Sequence, residues 1–574
     1  MLIDPTARPE ELRERGLRWW SDGNFSIGWK GHLFLAGHPG GEASVDRLGT
    51  SLRERELAEI APEILGVYGL FVYEHRSRRW QVCSDNSGLY RIFHDERGAS
   101  TSFLDLLTAR RVTTESIRPE AVVEYLTYGA WIGPSTPVRG VSRLTHDAVL
   151  VIQPDRPVAV VRKHLVCPAT DDTGRVFGYF DDLARSLEGL TVSVDVTAGY
   201  DSRVVTSLLF SKGVPFEAAV SGHPGSDDAE IGRRIAEVLR RPFHLSSHTL
   251  STLAAEIPAL YVAGDGITDL RRFHRDDQNA RARLARGVDV IVHGGGGELF
   301  KDQYSYQDFP FYGRSRVDLE RYYDLRMSPI ALPRQYLTEA AAGVADRIRP
   351  RAVEIMKGLV APTNNESYNR FWFFLRAPDH MGQFFSNYIN MGLDVAAPFL
   401  DYRNAHVGMR LPPWQTVFTR WHRSVITRAC PEIAILPTSD GYTASSRWLD
   451  LPRNLTGYAN VQLRRAAKKV AQRKLGRTMF HKAGAFAADA PSFMASLRES
   501  VSFRSAVDSL KAAGILRQDL ALDGIRDIHV GRAFTMGMLY QRLGEPSHAH
   551  DASHPARTRR EYPSRERLPD RSIG

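Results

Sequence analysis

Six consecutive residues carry the densest chemistry in this chain: Thr197-Ala198-Gly199-Tyr200-Asp201-Ser202, set between an apolar strand-like run and an amphipathic run. A short loop of small residues ahead of a helix lets backbone N–H groups close on an anion, and the helix N-terminus adds its partial positive charge. Pyrophosphate is the ligand such a loop suits. Asp201 is the residue type that holds Mg²⁺, which takes one or two carboxylates plus phosphate oxygens, and the Ser202 hydroxyl can bond a phosphate. Asp or Ser at a helix start also serves as an N-cap, and residue type alone leaves both roles open. Arg203, next in the chain, suits a phosphate, a substrate carboxylate or a plain solvent-facing charge. Asp227 or Asp228 suits the nucleotide site or, more simply, a helix cap.

The elements around this loop follow from periodicity. From about Trp19 to Val161, short runs of β-branched and aromatic residues such as NFSIGWKGHLFLAG and ILGVYGLFVYEHRSRRWQVCSD predict antiparallel strands. One helix, at RPEAVVEYLTYG, interrupts them, with Val122, Val123 and Leu126 on one face. After Val166 strands and helices alternate: TVSVDV, a helix burying Val204, Val205, Leu208 and Leu209, FEAAVSG, a helix turning Ile231, Ile235 and Val238 inward, then VDVIVHG. Repeated β-α-β units predict an α/β fold with a parallel sheet covered by helices. From about Leu337 onward the chain reads as mostly helical.

The loop resembles the Ser-Gly-Gly-x-Asp-Ser pyrophosphate loop of the asparagine synthetase family and other N-type ATP pyrophosphatases, with Thr197 and Ala198 in place of the first Ser and Gly. Three more segments are similar to that family, in order: SGHPGSDDAEIGRRIAEVLRRPFHL, GGGGELFKD and AAPFLDYRNAHVGMRLP, so the likeness spans about Thr191 to Pro412. The earlier segment ILGVYGLFVYEHRSRRWQVCSDNSGLYRIFH looks like the family's amidotransferase core, with Asp85, Gly88 and Tyr90 in its characteristic turn. The resemblance implies an N-terminal αββα amidotransferase-like sandwich over residues 1–166 and a parallel-sheet ATP pyrophosphatase domain over 167–460. A helical extension over 461–545 and a disordered tail over 546–574 complete the expected layout. It also implies ATP and Mg²⁺ as cofactors: Thr197, Ala198, Gly199, Tyr200, Asp201, Ser202, Arg203, Gly295 and Gly296 would bind ATP or pyrophosphate, and Asp201 with Glu298 would hold the metal.

Two departures refine the expectation. Glutamine hydrolysis in this family needs a cysteine directly after Met, whereas residue 2 is Leu2 and no cysteine precedes Cys83, so residues 1–166 are expected to be an inactive amidotransferase domain. In the second motif Gly297 stands where the family places a metal-binding Asp, leaving the neighbouring Glu298 to supply the carboxylate. The glycine segment has no Tyr, and LPTSDGYTASSR has no Lys, so the β-lactam-forming members are not matched. His293 and Glu298 are the candidates for a general base, with a packed strand-end histidine the plainer reading of His293. Asp265 resembles a family Asp but suits a turn, and Asp401 suits a helix start. The resulting expectation is a glutamine-independent ligase that adenylates a small-molecule or peptide carboxylate and couples it to an amine or ammonia in a specialised biosynthetic pathway, with pathway proteins as possible partners. A lasso-peptide macrolactam cyclase and a catalytically silent synthetase-like scaffold are the alternatives.

Composition sets the outer bounds. The 574 residues carry a formal net charge of +9, and the segment LRRAAKKVAQRKLGR, running from Leu463 through Arg464 to Arg477, suits an acidic substrate or a solvated helix face. No nucleic-acid-binding signature occurs. Three cysteines without CxxC spacing, Cys83, Cys167 and Cys430, read as reduced thiols. The absence of a long apolar run predicts a cytoplasmic chain without membrane spans.

Overall fold

Strands buried at nearly every position belong to a sheet covered on both faces, and the eleven-residue strands Phe25–Leu35 and Ile64–Glu74 are buried almost throughout. In the computed structural model, which describes residues 1–14, 16–166, 172–247, 257–305, 308, 311–327, 331–475 and 490–544, they form the centre of a six-stranded antiparallel sheet. Its order is Ala159–Arg162, Ala148–Ile152, Arg79–Ser84, Ile64–Glu74, Phe25–Leu35, Arg18–Ser21. Period-2 alternation divides the Ile64–Glu74 strand between two cores. Ile64, Tyr68, Leu70 and Val72 pack with Val45, Leu48, Leu57 and Ile60 of the helices Glu42–Ser51 and Leu57–Ile60, while Leu65, Val67 and Phe71 face the interior of the molecule.

That interior is shared with a five-stranded, all-parallel sheet of order Phe243–Ser246, Glu217–Ser221, Val192–Asp195, Val290–Val292, Asp394–Ala396. One apolar cluster runs from Phe71 and Trp80 through Val194, Ile291 and Val395, so the two sheets have a common core. Polar ties reinforce it: Arg18 pairs with Asp394 at 2.7 Å, and the buried Asp379 takes Arg91 at 3.0 Å together with Arg143. The Asp85 carboxylate accepts from the N–H groups of Ser87, Leu89 and Tyr90, shaping a turn with Gly88 at φ +68°. Tyr90 then donates to Asn390 at 2.8 Å and Ser87 to the Leu400 carbonyl at 2.6 Å, docking the turn on the second half of the chain. A second core gathers the helices Pro119–Tyr128, Glu339–Lys357, Asn364–Leu375, Val501–Ala512 and Asp527–Gly544.

The α/β expectation holds at the level of mixed antiparallel and parallel sheets with many helices. Differences lie in detail. The first 166 residues hold more helix than the single segment expected, including Glu42–Ser51 and Phe103–Arg110. The short parallel strands Phe243–Ser246 and Asp394–Ala396 carry no alternation that marks them. Val238 is 42% exposed rather than inward, because it lies in the last turn of its helix, beyond the sheet. Cys167, the charged stretch beyond 475 and the tail 546–574 lie outside the described residues. No helix among the described residues is long and apolar enough to cross a membrane.

Two buried histidines make stability pH-dependent. His32, bonded to Ser186 Oγ at 2.8 Å, and His406 are both held at about 3 against an ordinary 6.5, first by burial and then by nearby arginines. The unfolded chain binds these protons below pH 6.5 and the folded chain does not, so stability is present above 6.5 and falls as pH drops toward 3. Two protons correspond to a slope approaching about 3 kcal/mol per pH unit. Urea melts of the parent and of His32→Gln are expected to diverge between pH 7 and 4, the parent losing up to about 1.4 kcal/mol more per pH unit than the variant; parallel pH profiles would contradict it.

Candidate functional site

In an open parallel sheet, ligands bind beyond the carboxyl ends of the strands where the order reverses. Here the chain builds outward from Val192–Asp195 to one side and continues with Val290–Val292 on the other, so these two neighbours bracket the switch point. Their following loops are 197–202 and 293–297, the two segments whose composition stood out. Both come together there: a Cβ added to Gly294 would lie 2.8 Å from the Ser202 N and Cα atoms, and one added to Gly297 would lie 2.5 Å from Asp201 Cγ. Only glycine lets the second loop seat this closely on the first.

The first loop is tied internally. Thr197 N–H donates to Ser202 Oγ (3.1 Å), the two hydroxyls are 2.8 Å apart, and Gly199 N–H donates to Thr197 Oγ1 (3.2 Å). Ala198 N–H donates to Asp228 Oδ1 at 2.8 Å. Asp228 therefore braces the loop, while Ser226 is the residue that caps the helix Asp227–Val238. The helix Tyr200–Ser211 starts at Gly199, which has no side chain to cap it, so the first-turn N–H groups stay available to an anion. Ser202 is spent on the loop itself rather than on capping.

Arg203 does not sit where a phosphate or carboxylate ligand would. It is fully buried, and its guanidinium donates to the carbonyls of Ile433 (3.2 Å), Leu436 (2.9 Å) and Pro437 (2.8 Å). Tyr200 is likewise structural: its hydroxyl accepts from Arg423 at 2.6 Å, and the Arg423 guanidinium stacks on the Tyr200, Phe418 and Tyr442 rings.

The glycine segment uses its own amides. Gly295 N–H donates to His293 Nδ1 (2.8 Å) and Gly296 N–H to Glu298 Oε2 (3.0 Å), so neither points at a phosphate as expected. The bond to Nδ1 places the hydrogen of the neutral imidazole on Nε2, which faces Asp195 Oδ2 at 3.7 Å. Burial keeps the ring neutral. With one nitrogen accepting and the other carrying the proton, His293 has no lone pair for a substrate, which leaves Glu298. Its carboxyl is raised, first by burial and then by the charge of Asp201, and it is partly exposed.

Asp201 has a partner that no motif announced. Lys301 donates to its Oδ2 at 2.7 Å, and the fully buried His422 brings Nε2 to 2.8 Å from Oδ1 without hydrogen-bond alignment. Burial works to raise the Asp201 carboxyl, but Lys301 and His422 outweigh it and hold it at about 2. Burial also lowers His422, and Lys301 is the larger of the two influences that hold Asp201 ionised. These residues do not form a Mg²⁺ site made of protein ligands alone. Asp201 already carries an ammonium, which leaves Glu298 as the one uncompensated carboxylate of the expected pair, and among the described residues no group of three or more His, Cys, Asp or Glu is placed to hold a metal without phosphate oxygens.

The remaining candidates are braces. Asp265 accepts from Ser102 Oγ and from the N–H groups of Phe103 and Leu104, starting the helix Phe103–Arg110. Asp401 caps Tyr402–Arg410 through Arg403 N–H at 3.0 Å, as expected. Burial raises both to about 6. Lys301 and His422 went unread in the sequence; a lysine three residues after Glu298 is a weak signal, and His422 has none. No family model matches the chain, and no curated protein matches it.

Proposed function

We propose that this chain is an ATP-dependent ligase that adenylates a carboxylate and passes the acyl group to an amine, resembling asparagine synthetase in plan. The observation that carries the reading is the meeting of loops 197–202 and 293–297 at the switch point, against an uncapped helix N-terminus. In this reading a substrate carboxylate oxygen attacks the α-phosphorus of ATP and pyrophosphate leaves. The amine nitrogen then attacks the acyl carbon, loses its proton to Glu298 and expels AMP. The first-turn amides of Tyr200–Ser211 hold the pyrophosphate, Lys301 supplies positive charge beside them, and Glu298, with its raised carboxyl, takes the proton. No step is assigned to a protein-held metal. The first 166 residues belong to an amidotransferase-like sandwich without a thiol nucleophile; the two cysteines among the described residues, Cys83 and Cys430, are both buried.

A silent, synthetase-like scaffold is the second reading, and one feature favours it: loop amides at Thr197, Ala198, Gly199, Gly295 and Gly296 are satisfied within the protein. One assay separates the two. The full chain with ATP, a panel of carboxylic acids and ammonia or primary amines is expected to yield AMP and pyrophosphate, with glutamine unable to replace ammonia. Stoichiometric ADP would overturn the mechanism, and no nucleotide turnover across the panel would favour the scaffold.

A further inference from the structure

A cavity of about 190 Å³ lies between the segment that follows the glycine loop and the helix Asn364–Leu375. Its walls include Tyr304, Tyr322, Phe371 and Trp372, with Tyr304 stacked on Trp372 at 4.8 Å. Among the described residues its charged lining is basic: Arg326, Arg376 and His380, with no carboxylate. Arg326 is engaged, donating to the Gln303 carbonyl at 2.5 Å.

Arg376 differs. It lines this cavity and the adjoining one as well, and among the described residues its side chain makes no hydrogen bond or ion pair. Asp379, the acid whose charge reaches it, is already committed to Arg91 and Arg143. Its guanidinium is half-buried at the cavity wall, and its fork geometry matches a carboxylate bidentately. The cavity also adjoins the switch-point site: Tyr304 follows Lys301 by three residues and feels the charges of Glu298 and Asp201.

We propose that this cavity binds an organic acid with an aromatic-sized apolar body, its carboxylate held by Arg376. A dry cavity of about 150 Å³ accommodates benzene, so about 190 Å³ suits a ring with a one-carbon acid arm. The tyrosine and tryptophan rings supply the apolar contact, and the basic lining selects the anion over its neutral analogue. That the bound acid is the one adenylated next door rests on the ligase reading; the binding site itself does not.

The test is calorimetric titration of the full chain with phenylacetate and with phenylacetamide, without nucleotide. Phenylacetate is expected to bind at least tenfold more tightly than the amide. Arg376→Gln is expected to remove that preference while leaving the amide unchanged. Equal binding of acid and amide to the unaltered protein, no binding of phenylacetate, or full acid binding by a folded Arg376→Gln protein each overturns the site. The acid–amide comparison needs no variant, so it decides the matter even if Arg376→Gln does not fold. Binding with the expected preference but no AMP from any acid sinks the ligase reading alone; AMP formation without phenylacetate binding sinks this site alone.

Discussion

Lys301→Met is expected to destabilise the protein by about 3 kcal/mol at pH 7, near the lower end for stranding one member of a buried ion pair. The side chains of Lys301 and Asp201 are 16% and 19% exposed, so water screens little of the loss. The variant leaves Asp201 and Glu298 as neighbouring carboxylates with no cation between them. Mg²⁺ is therefore expected to raise the melting temperature of Lys301→Met, whereas neither Mg²⁺ nor a chelator shifts that of the unaltered protein. The double variant Asp201→Asn/Lys301→Met, which removes both charges, is expected to recover most of the loss. The acid limb checks the sign. The folded Asp201 carboxyl is held at about 2 against an ordinary 3.8, so its contribution is full above about pH 4 and disappears as pH falls toward 2. Lys301→Met is expected to lack that step. A variant as stable as the parent, or a parent stabilised by Mg²⁺ alone, would show that Lys301 does not stand in for a metal.

Arg203→Met is expected to cost more, about 4 kcal/mol, because it removes three bonds at once and takes the guanidinium from the carbonyls of Leu436 and Pro437, while that of Ile433 keeps the Leu436 N–H. The readout that separates a brace from a ligand is pyrophosphate affinity. Measured on the folded fraction at low temperature, it is expected to stay within about twofold, since a structural substitution moves stability rather than a distant anion contact. A protein of unchanged stability with tenfold weaker pyrophosphate binding would return Arg203 to the phosphate site.

Much of the architecture is written in local pattern. Val204, Val205, Leu208 and Leu209 share one face of a helix by spacing alone, and all four are buried. The strand Glu217–Ser221 and the helix Pro119–Tyr128, with its proline in the first turn, follow from the same arithmetic. Short strands such as Asp394–Ala396 did not, because three buried residues hold no measurable period.

What the sequence determined by itself is therefore the order of elements and the identity of the two loops that would meet: small residues and an acid before a helix, and a glycine run after a strand. What only the tertiary structure decided is how each side chain there is employed. Lys301 reaches Asp201 across 100 residues of chain, and Arg203 spans 230 or more to the carbonyls it serves. His293 and Glu298 sit five residues apart, yet only one keeps a free lone pair, because a backbone amide claims the other. Periodicity encodes which face of an element is buried. Which partner waits at that face depends on how distant elements pack, and a one-dimensional pattern does not carry that information.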